Sequence, residues 1–508
     1  MRDVAGREVA PYDLWQATMM ANAARDPLWR AAVSVEVAAT PAARGAIEAK
    51  CLTCHAPMAS RDALENGQAL AMSVLAQDDT RAHLALDGVS CTYCHAIIPD
   101  VANPATTFNA NHSFPPTKDL FGPYDNPQAS PMSIRTGYLA RKGDHMRSSA
   151  LCASCHTLHT ASLGADGLPT GGRLPEQTAF LEWQNSSFDD TRATPTALAA
   201  SCQECHTPTT DASGQPIATR IARGNGGADL TNLADRSPYG RHLFVGGNTL
   251  IPAILRDRRV DLNPIAPDAA FDQLIAATRD QLATRTATVA LTAPTRAGDE
   301  LTLPLRVTNL TGHKLPTGHP TRRLWLRVRV KDASGVVVFA SGEHDAAGRI
   351  VDRTGSVLPE EVALGPIHPH RDVVTSDREA QVWESVMQDG AGAPTFLVMR
   401  GETYVKDNRF LPQGWSPTHP SVADTAPRGL GGDTNHGAGG DLVTYRVNAP
   451  AANGPYTVEA TLFYQVLSAR YADEMFRYRT PEVEAFRAYY EAANRAPETV
   501  AVTSASVP

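Results

Sequence analysis

All eight cysteines of this chain fall in four copies of one pattern: Cys51-Leu-Thr-Cys54-His55, Cys91-Thr-Tyr-Cys94-His95, Cys152-Ala-Ser-Cys155-His156 and Cys202-Gln-Glu-Cys205-His206. Two thiols three positions apart can form thioethers with the two vinyl groups of one haem, and the next residue then turns its imidazole toward the iron. A single Cys-x-x-Cys pair reads equally well as a zinc knuckle or a redox disulfide. Four pairs, each followed directly by histidine and leaving no cysteine over, do not. Zinc has no need of that adjacency, and a redox pair would not recur at irregular intervals along the chain. The residues therefore predict four covalently attached haem c groups, with His55, His95, His156 and His206 each giving one iron ligand.

Low-spin electron-transfer haems need a second protein ligand, usually histidine or methionine. The chain has 16 histidines, so twelve remain outside the motifs. His145, seven residues before Cys152 in a short polar stretch, is one leading candidate. His242 is the other, because the nearby Gly246 and Gly247 let backbone approach a porphyrin face. His83, His112 and His159 are lesser candidates; His159 follows His156 so closely that it suits a neighbouring haem better than its own. Within Thr311-Gly-His-Lys-Leu-Pro-Thr-Gly-His319, a Gly/Pro-rich loop can project one imidazole with little freedom lost, and His313 is preferred over His319. His344, His368, His370, His419 and His436 lie in turn-rich stretches and read as surface residues away from the irons.

The elements that must position these groups divide the chain. At 508 residues it is too long for one ordinary core. Residues 1–290 hold every motif among short helices, turns and irregular stretches, which predicts a mainly α and irregular tetrahaem domain whose porphyrins serve as its core. Leu168 to Pro175 and Pro208 to Ala228 read as loops. Phe271, Leu274, Ile275, Thr278 and Leu282 then share one face of a connecting helix entered from Pro267-Asp268. Beyond it the period drops to two: Leu324, Leu326, Val328 and Val330 alternate with Trp325, Arg327, Arg329 and Lys331. Val336 to Ala340, Leu301 to Val307, Tyr456 to Tyr464 and Thr499 to Val502 also read as strands, so residues 291–508 are expected to form an all-β, sandwich-like domain. Thr480-Pro481 opens a C-terminal helix with Val483, Phe486 and Tyr490 on its apolar face.

The formal net charge is -8 before any haem propionate is counted, which makes nucleic acid an unfavourable partner. No run of roughly 18 apolar residues is present, so no transmembrane segment is expected. Thioether attachment takes place after export in bacteria, which implies a periplasmic, extracellular or cell-surface location. The opening Met1 to Ala10 has no signal-peptide core and reads as a mature form or a displaced start.

Beyond the motifs, the phrases Tyr12-Asp-Leu-Trp15 with Met19-Met-Ala-Asn-Ala-Ala-Arg-Asp26, Gly88-Val-Ser-Cys-Thr-Tyr-Cys-His95, Glu176-Gln-Thr-Ala-Phe-Leu-Glu-Trp183 and Asn309-Leu-Thr-Gly-His-Lys-Leu-Pro-Thr-Gly318 resemble a family of bacterial multihaem cytochromes with an N-terminal tetrahaem module and a C-terminal β domain. The resemblance runs almost end to end and implies electron transfer between redox protein partners. Many multihaem cytochromes carry Trp-x-x-Ser-x-His-Ala near the start, with that histidine on an iron; the matching letters here are Trp15, Thr18, Met20 and Ala21. Met20 is therefore a candidate thioether ligand, against the alternative that Met19 and Met20 are packed core residues. An electron carrier with every iron closed is the expected function. The alternative is a multihaem oxidoreductase acting on a small nitrogen or sulfur species at one open haem. The lack of a Cys-x-x-Cys-Lys motif argues against the lysine-ligated nitrite reductase type. A β domain acting as a carbohydrate or protein binder is the weakest reading, since the aromatic residues form no visible platform.

Overall fold

The computed structural model describes the whole chain except residues 4–5, 212, 221–232 and 508. It separates into two compact units that do not follow the linear order of the chain. The first comprises Met1–Val33, Ala43–Thr157 and Ala200–Ala277; the second comprises Ser34–Ala42, Leu158–Ala199 and Thr278–Pro508. The helical and irregular part comes first and the strand-rich part follows, so the chain is a multidomain α-then-β protein. The second unit also recruits two segments that a linear reading assigns to the haem region, because each finds its hydrogen-bond partners beyond residue 278. Glu36 accepts the backbone N–H groups of Val398 (2.5 Å) and Met399 (3.3 Å), and Arg400 donates to Ala39 O and Thr40 Oγ1.

In the first unit the helices are short, and many of the buried residues are alanines rather than large apolar side chains. Each motif lies on a helix and ends it or nearly so: Arg44–His55, Cys91–Ala96, Ser149–His156 and Cys202–His206. Serine starts three of them. Ser90, Ser148 and Ser201 accept the N–H groups of Tyr93, Ala150 and Glu204, and Glu204 completes a capping box on the last. Cysteines at i and i+3 then share one helix face, with the histidine about 100° further round. The stretch predicted as a loop from Leu168 to Pro175 is instead a strand, Pro169–Thr178, paired with Thr157–Leu163. Its glycines and prolines are tolerated because this sheet has only two strands, both of them edges. Part of the second predicted loop, residues 212 and 221–228, lies outside the described residues.

The second unit holds two larger sheets. One orders Val373–Val374, Gly440–Asn448, Glu300–Asn309 and Ala287–Leu291, with Thr295–Ala297 also on Glu300–Asn309. The other orders Pro394–Thr395, Val382–Asp389, Arg323–Lys331, Tyr456–Gln465 and Glu498–Val507, and it adds Gly401–Asp407 and Val337–Ser341 at its sides. Leu301, Leu303, Leu305 and Val307 share one face of the first sheet and Leu324, Leu326, Val328 and Val330 one face of the second, all fully buried. The Trp383 indole N–H donates to Asp441 Oδ2 (2.8 Å), joining strands of the two sheets. Trp325, on the face expected to be polar, is also fully buried, packed with Ile350, Leu358, Val382 and Phe463. The connecting helix is Asp268–Arg285, with all five predicted face residues buried. The C-terminal helix is Pro481–Ala492, capped by the Thr480 hydroxyl, and the last strand extends over Glu498–Val507.

Candidate metal centres

The attachment thiols of the first unit gather into one neighbourhood. Cys54, Cys94 and Cys155 lie close enough to the Tyr93 phenol to act on it electrostatically, and burial pushes that phenol far above its ordinary range. Cys152 and Cys202 interact directly, so the third and fourth motifs adjoin. Their helices are stitched by Cys202 N–H to Ser149 Oγ (3.0 Å) and by Gln203 Nε2 to Ser148 O (2.8 Å). Burial raises the Cys94 thiol to about 12 and the Cys155 thiol to about 11, which keeps them neutral. Neutral thiols that, among the described residues, form no converging group with histidine suit thioether attachment rather than zinc, which needs thiolates drawn together around one point.

The histidines divide by which ring nitrogen is already engaged. In the motif imidazoles, Nδ1 of His55 bonds Ala23 O (3.2 Å), Nδ1 of His95 bonds Phe121 O (2.5 Å) and Nδ1 of His206 bonds Val245 O (2.8 Å). A carbonyl can only accept, so each ring carries its proton on Nδ1 and presents the Nε2 lone pair, as a metal-bound histidine does. Burial lowers the His55 imidazole to about 4 and depresses that of His95, which keeps both neutral. Trp29 stacks flat on His55 with centroids 4.4 Å apart. His156 ends its helix, as His55 and His206 do.

Three of the predicted opposite-side ligands share this geometry. His242 bonds Gly240 O through Nδ1 (3.1 Å), on a turn, and burial lowers it to about 4. His145 interacts with the Ile97 carbonyl, while its Nε2 is buried with no protein partner. In the second unit His313 bonds Lys314 O through Nδ1 (2.8 Å), and burial lowers its pKa. The rings of His95 and His242 lie 6.4 Å apart and near-parallel. The lesser candidates are engaged differently: His83 Nε2 pairs with Asp78 (3.2 Å), His159 Nε2 with Asp424 (2.9 Å) and His112 Nε2 with the Tyr93 hydroxyl (2.9 Å). His319 stands edge-on to Tyr471.

Met20 is half-buried, and its backbone is held tightly. Its carbonyl accepts Val89 N–H (2.9 Å), and Gly88, at φ +60°, approaches so closely that a Cβ there would lie 2.6 Å from Met20 O. The Trp15 indole donates to Val89 O (3.1 Å), so the segment bearing Met20 is docked directly before the second motif.

The histidines expected at the surface need correction. His368 and His436 are buried, the His370 side chain is fully enclosed, and Nε2 of each ring meets a carboxylate or a carbonyl. Among the described residues, His370, Asp433 and Asp441 form the only group of three or more such donors that converge as a metal would require. That group is nonetheless built around a proton. Gln381 Nε2 and Asn408 Nδ2 both donate to His370 Nδ1 (2.9 Å each), and both amides are oriented by backbone bonds through their oxygens. Nδ1 is thus an acceptor, the proton sits on Nε2, and Nε2–H donates to Asp433 (2.8 Å). His344, whose Nδ1 bonds Asp345 O (3.2 Å), has the ligand-like tautomer, but its ring is enclosed by Trp325 and Phe463. Sequence reasoning could not find the carbonyls of Ala23, Phe121 and Val245, since a backbone acceptor leaves no side-chain signal.

Residues 9–96 match the family model for cytochrome c554 and c-prime, a span that holds the Met20 segment and the first two motifs. No curated protein matches the chain. The fold is similar to that of a penta-haem cytochrome c552 from Thermochromatium tepidum, with a TM-score of 0.52 and 16% identity over 98% of this chain and 96% of that one. Motifs, tautomers and the local family match together support a multihaem c-type cytochrome with covalently bound haem, a kind of protein that transfers electrons. Among the described residues no helix is long and apolar enough to cross a membrane.

Proposed function

We propose that the chain is a tetrahaem electron carrier of the periplasm or cell surface, passing electrons between a donor and an acceptor protein. The carrying observation is the set of motif imidazoles whose Nδ1 is committed to a backbone carbonyl. Haem supplies one-electron chemistry when bound; the chain fixes the ring tautomers and keeps the His55 and His95 imidazoles neutral. The count of four rests on the motifs, which use every cysteine, although the similar fold belongs to a protein described as penta-haem. His55, His95, His156 and His206 are assigned to the attachment side of each iron, and His145, His242, His313 and Met20 to the opposite sides. A domain carrying the haems over residues 1–290 and a sandwich-like domain over 291–508 remain the working division, with the two recruited segments added to the latter.

Intact mass of protein made with export and haem-ligation machinery tests the count: four haem additions are expected, and fewer in fully loaded material would remove the claim. Carbon monoxide tests the carrier reading against an oxidoreductase with an open haem. The reduced protein should bind none, whereas stoichiometric uptake at one haem would favour the enzyme.

A further inference from the structure

Two phrases singled out in the sequence, Glu176 to Trp183 and Asn309 to Gly318, meet at one carboxylate. The helix Ala179–Gln184 carries Glu182, which is fully buried. Its Oε2 accepts the Lys314 backbone N–H (3.1 Å) and the Thr317 hydroxyl (2.6 Å), gripping the loop at two points just past His313. Its Oε1 accepts the Thr178 hydroxyl (2.9 Å) and faces Arg409 Nη1 at 3.2 Å. Arg409 is bound in turn to Asp407 (2.7 and 2.8 Å), and Asp407 to Lys314 Nζ (2.7 Å). All four charged side chains are 5% exposed or less. Burial works against each charge, yet Arg409, Lys314 and Thr317 hold the Glu182 carboxyl below its usual range.

The loop is also fixed on the other side of the imidazole. Asn309 Oδ1 accepts the Thr311 N–H and hydroxyl (2.8 Å each), and its Nδ2 donates to His313 O (2.9 Å). The His313 ring is thus set between an asparagine clamp and a carboxylate clamp. Two buried acids and two buried bases are a weak source of stability, since desolvation offsets most of their attraction. Such a network does define one geometry, because displacing any member strands a charge.

We propose that Glu182 is the positioning residue for His313, holding the 314–317 backbone so that Nε2 points in a single direction and adding a negative charge behind the ring. This rests on the reading of His313 as an iron ligand. A supporting anion behind a ligating imidazole stabilises the more positive ferric state, so its loss raises the potential.

The test uses the full chain loaded with haem, read by electron paramagnetic resonance and redox titration. His313→Ala should turn one haem from low to high spin. Glu182→Ala should give the same haem a high-spin fraction. Glu182→Gln, which keeps an oxygen for Lys314 and Thr317 but no charge, should stay low spin with its potential shifted upward. If Glu182→Ala leaves that haem low spin at its original potential while His313→Ala does not, the proposal is overturned and the ligand reading survives. If His313→Ala leaves every haem low spin, the ligand reading fails and this inference fails with it. Should Glu182→Ala not accumulate in loaded form, Thr317→Val removes one grip and spares the ion pairs; it must then raise the high-spin fraction of that haem or the proposal falls.

Discussion

A histidine ring offers two nitrogens, and the group that claims the first decides what the second can do. Where a carbonyl takes Nδ1, as at His55, His95, His206 and His242, the lone pair lies on Nε2; where a carboxylate takes Nε2, as at His368, His370 and His159, the ring is a hydrogen-bond donor. His242→Ala and His145→Ala are each expected to make one haem high spin and open to carbon monoxide. His368→Ala should leave every haem low spin and cost about 1–3 kcal/mol, measured by denaturant titration, because it removes a donor from the buried Glu361. The letters show the four motifs and single out His145, His242 and His313, whose ring environments fit the role proposed for them. The buried state of His368, His370 and His436 was not legible, because polar, turn-rich sequence does not reveal that other loops cover it. A different titration belongs to Glu36, which burial pushes up to about 8 from an ordinary 4.5. Folded protein then holds a proton that unfolded chain releases, so stability falls as pH rises from about 4.5 to 8, by at most about 1.4 kcal/mol per pH unit. Glu36→Gln should flatten that slope in denaturation curves taken across the window.

Among the elements, the helices and strands with a clean period were legible, and the exceptions have physical causes. Asp268–Arg285 buries the apolar stripe its spacing predicted, Glu300–Asn309 alternates as its leucines and valines require, and Arg323–Lys331 alternates from Leu326 onward. Pro169–Thr178 was hidden because its pairing with Thr157–Leu163, rather than its Gly/Pro-rich composition, makes it a strand. The burial of Trp325 was hidden too, since a strand's second face becomes core only when distant loops supply Ile350 and Leu358. The docking of the Met20 segment depends on one backbone conformation. Gly88→Ala puts a methyl group against Met20 O at a positive φ, and it should cost about 3 kcal/mol by strain and contact together. A lowered midpoint in chemical denaturation, with altered absorption of one haem, is the expected result. Leu274→Ala on the connecting helix should cost about 2–5 kcal/mol in the same assay and leave the haem spectra unchanged.

For the molecule as a whole, the order of residues and the membership of the units diverge. The chain passes from one unit to the other at residues 33, 42, 157, 199 and 277. A fragment of residues 278–508 has the large sheets but lacks Glu36, which binds the backbone of Val398 and Met399, and Glu182, which neutralises Arg409. That fragment should fail to give a cooperative melt by circular dichroism, and adding back 158–199 alone should not restore it. The same feature bears on biogenesis. All four attachment motifs precede residue 278, so in a chain exported from its N-terminus they arrive where haem is attached ahead of the strands that will receive Ser34–Ala42 and Leu158–Ala199. The strand Glu498–Val507 pairs along Tyr456–Gln465 and also touches Ala287–Leu291, so the sheet is completed only when this strand is in place. A chain cut just before Glu498 would thus keep every attachment motif and still leave the edge of Tyr456–Gln465 unpaired, an open template that a protease or a second unfinished chain would meet first.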